Sequence, residues 1–60
     1  MNPIERAQFL LSRYSFDKAQ DIINSIIFDA TIENNTKDIK YWTEVKKSLS
    51  TLATNNEVEQ

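Results

Sequence analysis

Three side chains near the start of the chain have the types and spacing to do chemistry: Arg6, Phe9 and Arg13. At about 100° per residue along a helix, they project from the side opposite Leu10, Leu11 and Tyr14, so both arginines should face solvent. A guanidinium fork pairs with phosphate or carboxylate oxygens, and an aromatic face accepts a cation or a flat group. Two such forks around one phenyl ring could hold an anion with a planar attachment, such as a nucleotide. Tyr41, at the edge of a later helix near Lys37, Glu44 and Ser48, is a further candidate for stacking against that ligand. The plainer alternative is that Phe9 packs on a neighbouring subunit and the arginines pair with carboxylates.

Other chemistry is thin. Asp17 with Asp21, and Asp29 with Glu33, lie one turn apart and could hold a hard cation weakly, but solvated charge is the simpler reading and no metal site is expected. The chain contains no cysteine, histidine or glycine. That removes disulfides, the common transition-metal ligands, the usual proton-transfer group and any glycine loop cradling phosphate. With no activated nucleophile in view, neither an enzyme nor a cofactor is expected.

Composition narrows the class further. Sixty residues, 40% of them hydrophobic, make one domain. A domain of this size buries only about 60% of its unfolded surface and usually needs a disulfide, a metal or a partner copy. With the first two removed, a homo-oligomer is expected. A net charge of −2 provides no basic stripe for nucleic acid. No apolar run approaches the roughly 18 residues that span a bilayer. The opening Met-Asn-Pro-Ile-Glu-Arg has no basic stretch leading into an apolar core, so a cytoplasmic location is expected and the Asn34-Asn35-Thr36 glycosylation pattern is incidental.

Three amphipathic stretches must position these residues. Asn2 caps a first helix with Pro3 at its first position and Glu5 closing a capping box, and the helix ends near Tyr14. Its stripe is Ile4, Ala7, Leu10, Leu11 and Tyr14. Ser15 caps a second helix, whose stripe is Phe16, Ala19, Ile22, Ile23, Ile26, Ile27 and Ala30. The clustered isoleucines would suit a strand, but the three-and-four spacing over some fifteen residues selects a helix. Asn34 and Asn35 make the next turn, and Asn35 or Thr36 caps a third helix carrying Ile39, Trp42, Val45, Leu49, Leu52 and Ala53.

The expected fold is therefore all-α: a helical hairpin plus an N-terminal helix, with one domain over 1–54 and a frayed tail over 55–60. Its core should comprise Leu10, Leu11, Ile22, Ile23, Ile26, Trp42, Val45 and Leu49. Phe9, Phe28 and Ile32 fall off the stripes and are the candidate interface residues. For Phe28 and Ile32 the competing reading is that the middle helix is clasped on both sides by its own neighbours.

The run Tyr41-Trp42-Thr43-Glu44-Val45-Lys46-Lys47-Ser48-Leu49, with Glu5-Arg6-Ala7 and Ile22-Ile23-Asn24-Ser25-Ile26-Ile27 upstream, resembles small helical proteins of bacteriophages and prophages. In those, an alanine- and isoleucine-rich helix precedes a Tyr-Trp-x-Glu-Val-Lys segment. Their middle helix often carries a cysteine, which is absent here. The resemblance implies a viral origin more than a function, and with that origin a non-catalytic binding protein has three candidate roles. One is inhibition of a host defence or regulatory protein through Phe28 and Ile32. Another is an oligomeric sponge holding nucleotide immune signals near Arg6, Phe9 and Arg13. The last is a minor structural or scaffold component.

Overall fold

Short polar side chains set the helix boundaries, and the computed structural model, which describes residues 1–58, shows each of them at work. The elements are α1 (Pro3–Arg13), α2 (Phe16–Ile32) and α3 (Thr36–Val58), with no strand among the described residues. At the start of α1, the Asn2 side chain accepts from the Glu5 amide at 2.8 Å while a Glu5 carboxylate oxygen accepts from the Asn2 amide at 3.2 Å. This reciprocal box satisfies two amide donors that the first turn leaves free. The Tyr14 amide closes α1 on the Leu10 carbonyl, and Ser15 Oγ then accepts from the Lys18 amide to open α2.

The turn between α2 and α3 is built without glycine. Asn34 takes the left-handed conformation at φ 57. Around it, the Asn35 amide reaches the Ala30 carbonyl at 2.9 Å and the Asn34 amide reaches Thr31 at 3.2 Å. That bond pair is a Schellman closure, which needs a left-handed residue just past the helix end. Of the two candidate caps for α3, it is Asn35 that serves, its Oδ1 accepting from the Asp38 amide.

α3 is the spine. α1 and α2 each lie along it and touch one another only slightly. The result is elongated, 41 × 19 × 16 Å, with a radius of gyration of 11.8 Å. A compact domain of this length would have about 10 Å.

The core combines two alanines with larger aliphatic side chains. Ala7, Leu10, Ala19, Ile23, Val45 and Leu49 form its buried cluster, and among the described residues Ile23, Val45 and Leu49 are the largest side chains with almost no exposure. Leu11, Phe16, Ile27, Tyr41, Trp42 and Leu52 pack around it, partly buried. The expected core is corrected at several positions. Trp42 and Leu11 are half-buried flanks rather than its centre, and Ile22 and Ile26 are half-buried on the shoulder of α2. Ile4 and Tyr14, placed on the α1 stripe, are exposed. The cause is rotational: α1 turns Ala7 and Leu10 inward and α2 turns Ala19 and Ile23 inward, and the other stripe residues lie to the sides.

α3 continues helically through Val58, into the stretch expected as a tail. The end of that stretch, 59–60, lies outside the described residues.

Candidate functional site

The helix rotations that build the core also decide the fate of the proposed ligand stripe. Arg6 is half-buried rather than solvent-facing. Its guanidinium carbon lies 5.6 Å from the centroid of the Trp42 ring, and its Nε makes a long 3.5 Å contact to the Tyr41 hydroxyl. That hydroxyl in turn donates to the Met1 carbonyl at 2.7 Å. The Tyr41 and Trp42 rings meet edge to face, with centroids 5.3 Å apart. Arg6 and Tyr41 thus join α1 to α3, with the Tyr41 hydroxyl and the face of the Arg6 guanidinium engaged inside the fold.

Arg13 behaves differently. It is exposed, with its guanidinium carbon 4.8 Å from the centroid of the Phe9 ring, itself 40% exposed. The stripe therefore resolves into two separate pairs: Arg6 with the α3 aromatics, and Arg13 with Phe9. The second is the more exposed, and it offers one cation.

The second apolar face stands as the periodicity implies. Phe28 and Ile32 are each 66% exposed, one turn apart on the side of α2 away from Ala19, Ile23 and Ala30. The reading in which α2 is clasped on two sides is corrected here: α1 and α3 both lie against its buried side. Asp21 and Ser25 share the outer side with the pair, and both are exposed.

One feature escaped the reading of the sequence. Ile4, Lys47, Ser48, Thr51 and Leu52 line an open cleft of about 270 Å³ between α1 and the later part of α3. Ile4 sits at the margin of its stripe, roughly 90° from the line of Ala7 and Leu10 when turned at 100° per residue, and that offset was the available signal.

Every buried side-chain polar atom among the described residues has a hydrogen-bond partner. Among the same residues, no three acidic side chains converge on a point that could hold a metal, and no helix is long and apolar enough to cross a membrane. No protein-family model, curated protein or solved structure matches the chain.

Proposed function

We propose that the chain is a small non-catalytic binding protein whose working surface is the outer face of α2. The observation that carries this reading is the pair Phe28 and Ile32, each 66% exposed side by side, while among the described residues the largest fully buried side chains are Ile23, Val45 and Leu49. Large adjacent apolar groups left in water mark interaction sites, and a small elongated domain has most to gain from covering them. On the resemblance to phage helical proteins, the surface that covers them belongs to a host defence or regulatory protein in the host cytoplasm. A homo-oligomer, or a scaffold built from one, uses the same two residues.

Sequestration of a nucleotide is the weaker alternative. It relied on Arg6, Phe9, Arg13 and Tyr41 acting together, and Arg6 and Tyr41 are tied to Trp42 and Met1.

Native mass spectrometry of the protein purified from cells tests these readings. A clean oligomer, or a complex with a second polypeptide, that is lost on Phe28→Asp supports the surface. A mass excess of a small molecule, lost on Arg13→Ala and kept on Phe28→Asp, overturns it in favour of sequestration.

A further inference from the structure

We infer that the outer face of α2 docks a basic amphipathic helix of another protein in preference to a second copy of this chain. The inference rests on the binding reading above and narrows it to a partner class.

The charge of the molecule is unevenly divided. α2 and its C-cap carry Asp17, Asp21, Asp29 and Glu33 against Lys18 alone, and all five are exposed. α1 carries Arg6 and Arg13 against Glu5, and α3 carries Lys37, Lys40, Lys46 and Lys47 against Asp38, Glu44 and Glu57. The acidity therefore belongs to the element that also bears the exposed apolar pair.

The arrangement on that element is ordered. At about 100° per residue, Asp17, Asp21, Phe28 and Ile32 fall within roughly 60° of arc. The outer face thus reads acidic over its first half and apolar over its second. At 1.5 Å per residue, Asp21 and Phe28 stand about 10 Å apart along the axis. A complementary helix would present an apolar pair one turn apart and a lysine or arginine about 10 Å from it. Apolar anchors then supply the buried centre while the charges steer and orient the encounter.

A second copy fits this face poorly. Laid parallel on Phe28 and Ile32, it sets Asp17 and Asp21, which share the seam face, beside their own counterparts. Laid antiparallel, it brings Asp29, the neighbour of Phe28, close to its counterpart at the dyad. Like charges so placed disfavour the pairing. The same acidity repels nucleic acid and anionic lipid surfaces.

The test titrates the full chain with two synthetic helical peptides, followed by amide chemical shifts. Both peptides carry a leucine pair one turn apart; one has lysines two turns away and the other has glutamates there. The expected result is a monomeric protein that binds the lysine peptide with shifts along 17–32. Affinity should fall by roughly tenfold or more for Phe28→Ala, and should also fall for the double variant Asp17→Asn with Asp21→Asn. Unchanged far-ultraviolet circular dichroism shows that both variants remain folded. Equal binding of the two peptides, or shifts centred elsewhere, overturns the inference. A dimer of the protein alone that Phe28→Asp dissociates assigns the face to a second copy, which overturns the inference and leaves the binding reading standing. A monomer that takes up neither peptide sinks both.

Discussion

The Arg6 guanidinium is held 5.6 Å from the centroid of the Trp42 ring, and this contact fastens α1 onto the spine helix. α1 has little contact with α2, so its position depends on what it makes with α3. Partial burial strengthens a cation over an indole because less water competes for the charge. Arg6→Ala should therefore lower stability by about 1 kcal/mol. Arg13→Ala removes an exposed contact with Phe9 and should stay within about 0.5 kcal/mol. For a domain of this size, 1 kcal/mol moves the melting temperature by roughly 4–8 °C, so thermal circular dichroism separates the two. Equal losses would mean that the Trp42 contact contributes nothing beyond surface charge.

The Tyr41 hydroxyl ties the first residue of the chain to α3 through its 2.7 Å bond to the Met1 carbonyl. Tyr41→Phe keeps the ring and its edge contact with Trp42 but removes the donor. The expected cost is about 1 kcal/mol. Amide exchange should quicken in the first turns of α1 and remain unchanged around Ile23. Uniform quickening across all three helices would contradict a local tie.

Asn34 occupies the left-handed region at φ 57 in the turn that closes α2. A side chain with a Cβ and no local hydrogen bonding pays about 1–2 kcal/mol there, whereas glycine pays none. Urea denaturation of Asn34→Ala should thus show a loss of about 1 kcal/mol, and Asn34→Gly should match or exceed the parent. An alanine variant as stable as the parent would mean that the turn relaxes to another geometry.

Phe28 and Ile23 are both large apolar residues of α2, yet one is 66% exposed and the other is fully buried. Phe28→Asp should leave helix content intact and change stability by no more than about 0.5 kcal/mol in the monomer. Ile23→Ala should cost about 2–5 kcal/mol, a large share of what so small a core can supply. If Phe28→Asp unfolds the isolated chain, the residue is core and the binding surface proposed for α2 falls with it.

Much of the local structure was legible before any packing was known. The Asn2-Pro3-Ile4-Glu5 box, Ser15 and the Asn34-Asn35 turn all act through hydrogen bonds within a few residues, so their types and order suffice to place them. The outward position of Phe28 and Ile32 was equally readable, because both lie nearly opposite the Ala19, Ile23 and Ala30 line of their own helix. The ligand stripe was less legible. Arg6 and Arg13 look equivalent on a helical projection, but Arg6 lies nearer the packing line and meets Trp42, while Arg13 meets only Phe9.

Residue types and spacing alone place three helices, their caps, and the apolar pair left on the outside of α2. Packing adds that α3 is shared by both other helices and that Ile23, Val45 and Leu49 are buried with Ala7 and Ala19. It also decided that Trp42 flanks the core, that Arg6 and Tyr41 are taken up internally, and that Ile4 opens a cleft with Leu52. The physical reason is that capping and periodicity are properties of one helix. How far each helix turns about its axis when it meets another depends on the combined shape of both surfaces.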